Sequence, residues 1–278
     1  MKELLLVDLN YLYNKYYYVA LYSGKSDVHA SCHSMLLEFL HRIPATYKVI
    51  YCVDGEESKL GEYYEQYKKL RKKKTELYSR YSEFQHILAR EFPDSRVLVN
   101  KYAEGDELIA YFALKNKGKK TTVFSGDKDL LQLSVIRGVN ITDTFRNGKF
   151  INLTKLDIRS KFKYTAGKYI KNVSQILPFR VFTGDKSDNI PPAISRLKYT
   201  DKRVLVYFIN KLGFYGMIKD YDLEFVNMLA KQLSIYKHTK LAEKVLANQN
   251  NIIRNYSLMN LLGVYKREYI EEDIRRVL

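Results

Sequence analysis

Four short apolar runs in the first half of the chain each end at a polar turn residue, and this pattern limits the fold most strongly. The runs are residues 4–7, 49–53, 96–99 and 121–124. Short runs rich in Val, Leu, Ile and Thr that are closed by turn residues are typical of buried β-strands. Segments with helical spacing separate them, for example residues 28–43 and 104–116. Alternating strands and helices predict a mainly parallel central sheet with helices on both faces.

The second half of the sequence has a different pattern. Past about residue 150, apolar residues recur at helical spacing, as in Val204, Phe208 and Ile209. This part of the chain is therefore predicted to be mainly helical. The expected fold class is α/β, with a mainly parallel central sheet covered by helices and a mainly helical C-terminal region.

The chain is strongly basic, with few cysteines. Lys and Arg number 47 and Asp and Glu number 31, so the net charge is +16. An excess of this size implies a polyanionic partner, either nucleic acid or an anionic membrane face. Cys32 and Cys52 exclude a disulfide framework and a cysteine-rich zinc site, and they indicate a reducing compartment. The apolar run at residues 4–7 is too short for a signal peptide, and no apolar stretch of 18 residues is present.

Acidic residues follow the predicted strands directly. Asp8, Asp54 and Asp127 each come at the end of an apolar run. Because ligands bind at the carboxyl ends of parallel strands, these three acids are expected to gather at one edge of the sheet. Further acids follow the third and fourth runs and recur near residue 185, namely Glu104, Asp106, Glu107, Asp129, Asp185 and Asp188. The spacing of the last two predicts that they share one helical face.

Each acid alone has a plain structural explanation, as a helix cap, a turn residue or part of a solvated surface. Together they are costly, because two like charges about 4 Å apart repel by roughly 4 kcal/mol at an effective dielectric near 20. Divalent cations neutralise such a cluster, and an all-oxygen ligand set suits Mg²⁺ or Mn²⁺. Metal ions that bridge carboxylates and a phosphodiester describe a two-metal nuclease, with ions about 3.5–4 Å apart.

At these residues the sequence resembles the 5′-nuclease family of flap endonucleases and phage or polymerase-associated 5′→3′ exonucleases, which includes phage RNase H-like members. The resemblance covers most of residues 1–192. Its motifs, in the family order, are Val7-Asp8, Val53-Asp54-Gly55, Glu104-Gly105-Asp106-Glu107, Ser125-Gly126-Asp127-Lys128-Asp129 and Gly184-Asp185-Lys186-Ser187-Asp188-Asn189-Ile190-Pro191. Each motif alone is weak evidence, but five in order indicate the family and a PIN/5′-nuclease-like fold with a helical arch.

The resemblance implies a metal-binding role for the carboxylates and two Mg²⁺ or Mn²⁺ ions. The inner set is Asp8, Asp54, Glu104, Asp106 and Asp127, with Asp129 beside them. The second set is Asp185 and Asp188, which act partly through water. Asp127 is also assigned to catalysis. The family usually has Asp where this chain has Glu107, whose longer side chain is kept as a candidate ligand.

A basic run at residues 68–74 fits the arch that closes over the 5′ strand in this family. Tyr67-Lys68-Lys69-Leu70-Arg71 resembles the family motif Tyr-Lys-x-x-Arg. Lys68 and Arg71 would share one helix face, and the family role implies that they contact the scissile phosphate and stabilise developing charge. The further candidates for DNA contact in this region are Lys59, Lys69, Lys72 and Tyr67, the last by stacking on a base. A solvated helix face explains Lys72 to Lys74 equally simply.

The sequence departs from the family after residue 190. The family has a Gly-rich helical hairpin that grips the duplex backbone, whereas residues 191–198 contain no glycine. Without glycine, backbone N–H groups approach a phosphate less closely, which argues against a K⁺ site in the hairpin. Side-chain contacts to DNA are predicted instead from Arg196, Lys198, Lys202 and Arg203.

We therefore expect a Mg²⁺-dependent 5′→3′ exonuclease or flap endonuclease that hydrolyses DNA, or the RNA of RNA–DNA hybrids, to remove primers or flaps in replication. Residues 1–175 form the predicted catalytic α/β domain, with a basic arch at about 56–90, and residues 176–278 form a helical DNA-binding region. The expected partners are DNA with a 5′ end or flap, RNA–DNA hybrids, and a single-strand DNA-binding protein or a polymerase. The expected location is the cytoplasm of a bacterium or of a phage-infected host.

Two other functions fit parts of the sequence. A PIN-type single-strand ribonuclease shares the acidic sheet edge, but the arch and the motif at residues 184–191 count against it. The second is a non-catalytic, structure-specific DNA-binding protein on a nuclease scaffold. Such a protein would bind DNA more tightly without the acidic residues, so the nearly complete set of family acids in this chain argues against it. A phosphatase of the haloacid type is disfavoured because Asp8-Leu9-Asn10 lacks a second Asp.

Overall fold

The computed structural model describes residues 2–69, 75–154, 157, 173–212, 222–272 and 274–276. The chain divides into two compact units. The first comprises Met1–Ser58, Lys72–Leu153 and Val264–Leu278, and the second comprises Lys59–Arg71 and Thr154–Gly263. The functional division at residue 175 stays a prediction, because compactness alone assigns no function to either part. Among the described residues, no helix combines the length and the apolar character needed to cross a membrane.

The strands of the first unit form a mainly parallel sheet. In chain order they are β1 (Glu3–Asp8), β2 (Tyr47–Val53), β3 (Arg96–Asn100), β4 (Thr121–Phe124), β5 (Val139–Thr142), β6 (Phe145–Arg146), β7 (Lys149–Phe150) and β8 (Ile274–Arg276). Six of these strands form the sheet, in the order β5-β4-β1-β2-β3-β8, in which β1 to β5 are parallel and β8 runs antiparallel to β3. Strands β6 and β7 pair with each other in a separate antiparallel sheet. The four strands predicted from the apolar runs are confirmed, as is the parallel sheet.

Helices connect these strands and build the second unit. The helices of the described residues are α1 (Leu9–Tyr22), α2 (Val28–His41), α3 (Leu60–Tyr63), α4 (Thr75–Tyr78), α5 (Tyr81–Glu91), α6 (Gly105–Lys115), α7 (Ile176–Thr183), α8 (Tyr199–Lys211), α9 (Leu223–Ile235), α10 (Thr239–Ala247), α11 (Gln249–Met259) and α12 (Glu268–Glu272). The predicted helices at 28–43 and 104–116 correspond to α2 and α6. The mainly helical character predicted past residue 150 is confirmed where the chain is described.

Both faces of the sheet are covered, as a parallel sheet requires. On one face, Leu5 and Val7 of β1 pack in a buried cluster with side chains of α1, α2 and α5, including Tyr13 and Phe84. Leu4 and Leu6, which alternate with them along β1, are also buried, and α6 contacts β1 and β2. The central position of β1 therefore places its carboxyl end between β2 and β4.

The second unit has its own apolar core. Side chains of α7 to α11 form this core, including Phe182, Phe225 and Leu229. Leu60 of α3 is 2% exposed and belongs to the same cluster. Asn255 is fully buried and donates hydrogen bonds to the carbonyl oxygens of Val181 and Pro191, both at 2.9 Å. The segment that starts at Lys59 is therefore packed onto the helical unit.

Gly55, directly after Asp54, allows the chain to approach the end of β3. A Cβ atom at this position would lie 2.1 Å from the carbonyl oxygen of Asn100 and 2.6 Å from that of Lys101. The Gly55 N–H also donates to the carbonyl oxygen of Ala103 at 2.8 Å. The close packing of the loops that follow β2 and β3 therefore depends on the missing side chain.

We predict that Gly55→Ala lowers the free energy of unfolding by about 3 kcal/mol, because backbone carbonyl groups cannot move aside as a flexible side chain can. Gly61→Ala is the matched control, because a Cβ at Gly61, inside α3, meets no atom within 4 Å. That change should alter stability by less than about 1 kcal/mol. Denaturant unfolding of both variants checks the prediction, and equal stabilities of the two would contradict it.

Candidate active site

Asp8 joins the end of β1 to the start of α1. Its Oδ1 accepts a hydrogen bond from the Tyr11 N–H at 2.9 Å, so the side chain caps the helix. Its Oδ2 accepts from the Ser125 hydroxyl at 2.7 Å. Because Ser125 directly follows β4, the carboxylate connects the ends of two neighbouring strands.

Asp54 is held by donors from two helices. The Asn10 side-chain amide donates to Oδ2 at 2.8 Å, and the Gly105 N–H donates to Oδ1 at 2.7 Å. Gly105 is the first residue of α6, so the carboxylate also interacts favourably with the partial positive charge of that helix terminus. Asp54 is exposed to solvent and therefore accessible to a ligand.

Glu104 and Asp106 lie at the start of α6, on either side of Gly105 in the chain. Glu104 caps the helix immediately before Gly105, whose N–H binds Asp54. The Glu104 side chain is 7% exposed, and Asp106 is partly buried. Helix α6 packs against β1 and β2, and the proximity of the Glu104 and Asp106 carboxylates to Asp54 stays a prediction.

Glu107 has a different environment from the acids at the sheet edge. Its carboxylate forms a buried ion pair with Arg267 and accepts hydrogen bonds from the Tyr269 hydroxyl at 2.7 Å and the Glu104 N–H at 2.8 Å. Burial raises the pKa of Glu107, although Arg267 and the hydrogen bonds oppose the change. The side chain thus connects α6 with the segment around α12, and its role as a metal ligand stays a prediction.

Asp127 and Asp129 lie in the loop after β4. Asp127 is exposed, and its N–H donates to the Ser125 hydroxyl oxygen at 3.0 Å. The Asp129 N–H donates to Oδ1 of Asp127 at 2.8 Å. Ser125 thereby contacts both Asp8 and the backbone of Asp127, so that one hydroxyl group positions two of the predicted acids.

Asp54 and Asp127 lie near enough to Asp8 for their charges to act on its carboxyl group. The pKa of Asp8 is raised from 3.8 to about 7, chiefly by burial and to a smaller extent by the negative charges of Asp54 and Asp127. The hydrogen bonds from Tyr11 and Ser125 oppose this change. A cation bound beside Asp8 would offset the repulsion from Asp54 and Asp127, but it would have to displace the proton that the raised pKa favours.

The donor chemistry at this edge fits a hard divalent cation, since the candidate ligands are all carboxylate oxygens. Within the described parts of the chain, however, no three Asp, Glu, His or Cys side chains converge closely enough to form a metal-binding group. The carboxylates of Asp8 and Asp54 instead accept hydrogen bonds from protein donors. The number of ions and the ligand set therefore stay predictions.

The second unit holds Asp185 and Asp188 in a turn, which corrects the expectation that they share a helical face. The turn follows α7 and is closed by a bridge between Asp185 and Ile190. Gly184, with φ of 71°, permits it, because a Cβ there would lie 2.4 Å from the Ile190 carbonyl oxygen. Burial raises the pKa of Asp185, but the Arg180 guanidinium and the Ser187 hydrogen bonds outweigh it, so that this pKa is lowered.

The same turn holds the backbone of Lys68. The Lys68 N–H donates to the Asp188 carbonyl oxygen at 2.9 Å, and the Asn189 side-chain amide donates to the Gln66 carbonyl oxygen at 2.9 Å. Lys68 has φ of 54°, which lies outside the helical region. The expectation that Lys68 lies on a helix face is therefore wrong, because these two hydrogen bonds hold its backbone in a turn.

The remaining basic candidates have varied surroundings. Tyr67 is partly buried against the core of the second unit, with the Lys68 ammonium 5.0 Å from its ring centroid. Lys69 forms an exposed ion pair with Glu65 at 2.7 Å. Lys59 precedes α3 and is partly buried.

The basic candidates after residue 190 lie mostly at the surface. The side chains of Arg196, Lys198 and Arg203 are exposed, and Lys202 is partly buried. Arg71 and Lys72 lie outside the described residues.

Sequence reasoning missed three residues beside the carboxylates. Asn10 contacts Asp54, and the Tyr81 hydroxyl donates to Asn10 Oδ1 at 2.7 Å. Asp143 follows β5, and its charge adds to the burial that raises the pKa of Tyr11 to about 12. The rule that found the other acids, a carboxylate directly after a strand, would have found Asp143 had β5 been predicted. No sequence signal connects Asn10 with Tyr81, which is 71 residues away.

A mainly parallel sheet with carboxylates at its strand ends, in a chain of net charge +16, defines a basic α/β protein with an acidic sheet edge. Residues 3–163 match the family described as 5′-3′ exonuclease, N-terminal resolvase-like domain, and the chain belongs to this family of nucleases. It is also 29% identical over 198 residues to DNA polymerase I of Bacillus subtilis (strain 168). That alignment covers 68% of this chain and 22% of the polymerase, so the chain spans about a fifth of that relative's length.

Solved structures share the fold at low sequence identity. T5 5′-exonuclease with bound zinc ions has a TM-score of 0.59 at 16% identity, covering 97% of this chain and 99% of that one. Bacteriophage T5 flap endonuclease, in a pseudo-enzyme–product complex with DNA and metal ions, has a TM-score of 0.60 at 16% identity, covering 98% and 96%. Human GEN1 in complex with Holliday junction DNA has a TM-score of 0.50 at 12% identity, covering 99% and 62%.

The raised pKa of Asp8 predicts a pH-dependent stability of the metal-free protein. Because the folded state binds the Asp8 proton more tightly than the unfolded state, the free energy of unfolding should fall as pH rises from about 4 to about 7. Asp8→Asn keeps a helix-capping side chain and removes the charge. The Asp8→Asn variant should be about 2 kcal/mol more stable than wild type at pH 8, and the two proteins should have nearly equal stability at pH 4. The expected gain is smaller than the whole pKa shift would give, because Asp8 is partly exposed to solvent.

Denaturant unfolding in EDTA at both pH values measures this difference. Asp94→Asn is the control, because Asp94 is an exposed residue of the turn before β3. Its stability relative to wild type should be the same at pH 4 and pH 8. A pH-independent effect of Asp8→Asn would contradict the assigned shift.

Proposed function

We propose that this chain is a divalent-metal-dependent 5′-nuclease that hydrolyses phosphodiesters of DNA at 5′ ends or at 5′ flaps. The observation that carries the proposal is the cluster of Asp8, Asp54 and Asp127 at the carboxyl edge of the sheet, with the raised pKa of Asp8. Membership of the 5′-3′ exonuclease family supports it, as do the metal ions and DNA named in the fold relatives. The high positive charge of the chain fits a polyanionic substrate.

The roles of the acidic residues follow from their positions. Asp8, Asp54, Glu104, Asp106 and Asp127 are the proposed ligands of Mg²⁺ or Mn²⁺ at the sheet edge. Two divalent ions held by these residues would supply the chemistry for activating a water nucleophile and stabilising the leaving oxygen. The protein holds the carboxylates for this purpose through Ser125, Asn10 and the N-terminus of α6. Asp129 is proposed to act beside these ligands, and Asp185 and Asp188 are proposed as the second set, which acts partly through water.

The Glu107 ion pair supports a structural role for that residue. A buried carboxylate paired with Arg267 and Tyr269 would leave a buried cation without its partner if it turned towards a metal. We therefore infer that Glu107 anchors α6, and through α6 the Gly105 N–H that binds Asp54. The metal-binding task at this end of the sheet then belongs to Glu104 and Asp106.

Lys68 and Arg71 are proposed to stabilise the charge that develops on the scissile phosphate. The Lys68 N–H is bound by the Asp188 carbonyl oxygen, and Asn189 binds the Gln66 carbonyl oxygen two residues earlier, which supports a defined backbone position for this residue. Arg196 takes a left-handed backbone conformation, with φ of 53°, and its side chain is exposed. We infer that it replaces a backbone contact of the Gly-rich hairpin with a side-chain contact to the duplex, together with Lys198, Lys202 and Arg203.

The biological role that fits this activity is removal of primers or flaps during replication, with RNA–DNA hybrids as a further substrate. A single-strand DNA-binding protein or a polymerase is the corresponding protein partner. These assignments rest on the family and on the proposed chemistry. The alternative of a non-catalytic DNA-binding protein differs in one measurable respect, since it would bind DNA and leave it intact.

We predict Mg²⁺-dependent cleavage of a 5′-labelled flap duplex and loss of cleavage by at least 100-fold in Asp127→Asn, because one proposed ligand charge is removed. DNA binding should be retained, since the phosphate contacts come from cations. The same assay with an RNA–DNA hybrid tests the second substrate, and product lengths distinguish flap cutting from stepwise digestion. Asp94→Asn should cleave as wild type does, and EDTA should abolish cleavage by both.

Tight binding without cleavage by wild type, in both Mg²⁺ and Mn²⁺, would overturn the enzyme proposal and favour the structure-specific binder. Cleavage of single-stranded RNA with no preference for 5′ ends would favour the PIN-type ribonuclease.

We further predict that Asn189→Gly lowers kcat about tenfold, because Lys68 loses one of the two hydrogen bonds that fix its segment. Glycine tolerates the φ of 59° at this position, so that the backbone is not strained. Asn147→Gly is the matched control, because Asn147 has φ of 49° in the turn between β6 and β7. In a Lys68→Ala background, Asn189→Gly should have no further effect on kcat. An additive effect would show that Asn189 does not act through Lys68.

A further inference from the structure

Two polar residues that carry no charge connect the carboxylate edge with helix α5. Asn10 lies in the first turn of α1, two residues after Asp8. Its Nδ2 donates to Asp54 Oδ2 at 2.8 Å, while its Oδ1 accepts from the Tyr81 hydroxyl at 2.7 Å and from the Asp54 N–H at 3.2 Å. The amide of Asn10 therefore lies between Tyr81 and Asp54.

These contacts define which way the Asn10 amide points. Both donors, the Tyr81 hydroxyl and the Asp54 N–H, meet the oxygen atom of the amide. The nitrogen must then face the Asp54 carboxylate, which accepts hydrogen bonds and donates none when ionised. Reversing the amide would place its oxygen against the carboxylate and its nitrogen against two donors. The hydroxyl of Tyr81 thus helps to decide the orientation of the group that holds Asp54.

Tyr81 is itself firmly placed. Its side chain is 7% exposed, and its ring lies 4.8 Å from that of Tyr13 and 5.3 Å from that of Tyr78 between centroids. Burial raises its pKa well above the ordinary value, with the charges of Asp54 and Asp8 adding to the effect. Tyr81 therefore stays a neutral hydroxyl donor at working pH. It is also the first residue of α5, inside the region predicted as the arch.

We propose that Tyr81 and Asn10 are positioning residues that orient the Asp54 carboxylate and thereby set the affinity of the sheet edge for divalent metal ions. Asp54 has one oxygen bound by Asn10 and the other by the Gly105 N–H, so its plane is defined from both sides. Residues that orient a metal ligand typically contribute 10–100-fold to metal affinity. The inference rests on the proposed metal-dependent function, and it adds a connection from the predicted arch to one metal ligand.

The chain contains a close counterpart of this interaction. One turn further along α1, the Asn14 Nδ2 donates to the Tyr78 hydroxyl at 2.7 Å. Tyr78 belongs to the same segment as Tyr81, and the rings of the two residues are in contact. Tyr78→Phe and Tyr81→Phe thus each remove one hydroxyl group that bonds to an asparagine of α1. A general loosening of this segment would affect metal binding equally in both variants.

The test is direct titration of metal-free protein with Mn²⁺, in the absence of DNA, for wild type, Tyr81→Phe and Tyr78→Phe. We expect Tyr81→Phe to weaken Mn²⁺ binding about tenfold and Tyr78→Phe to change it less than twofold. Thermal unfolding should show similar losses of stability for both. In the cleavage assay, the Mg²⁺ concentration for half-maximal rate should shift upward for Tyr81→Phe alone.

A second variant protects the test against poor folding of Tyr81→Phe. Asn10→Ala should weaken Mn²⁺ binding to the same degree, and the double variant should bind no more weakly than either single variant, because both residues act through one contact. If wild type binds Mn²⁺ and the two tyrosine variants bind it with equal affinity, this inference is overturned and the proposed function stays in place. A wild-type protein that binds no divalent ion would overturn both.

Discussion

The parallel pairing of β1 with both β2 and β4 places like charges side by side. Asp8, Asp54 and Asp127 lie near one another because the strands that precede them run in the same direction. Burial chiefly, and this repulsion to a smaller extent, make the charged form of Asp8 costly and raise its pKa. The donors around the cluster offset part of that cost, and they come from α1, α6 and the residue after β4. The surroundings of the sheet edge are therefore arranged around its carboxylates.

In the second unit, backbone hydrogen bonds hold the turn at residues 185–190 and the segment that contains Lys68. The turn between Asp185 and Ile190 is closed by two backbone hydrogen bonds and stabilised by Ser187 and Arg180. The same turn binds the backbone of Lys68 and of Gln66. A residue with a positive φ costs free energy unless neighbouring contacts hold it, and these contacts are the physical reason that Lys68 lies outside a helix. Short polar contacts thus position acidic groups in one unit and a cation in the other.

Much of the fold follows from local patterns. The first four strands, α2 and α6 were predictable because buried runs, helical spacing and turn residues act over a few neighbouring residues. The acids at the strand ends were predictable for the same reason. The contact of Glu107 with Arg267, the pairing of β8 with β3 and the hydrogen bond from Tyr81 to Asn10 join residues far apart in the chain. Their side chains are ordinary choices for surface or core positions, so no local pattern marks them.

The amino-acid sequence by itself determined the class of protein: an α/β sheet with acids at its strand ends, a basic chain and the motifs of the 5′-3′ exonuclease family. The tertiary structure decided the function of individual polar groups within that class. It shows Glu107 held in a buried ion pair, Lys68 held in a turn, and Asn10 and Tyr81 beside Asp54. The reason is that strand direction and acid position are encoded locally, whereas the partner of a hydrogen bond depends on which distant segments pack together.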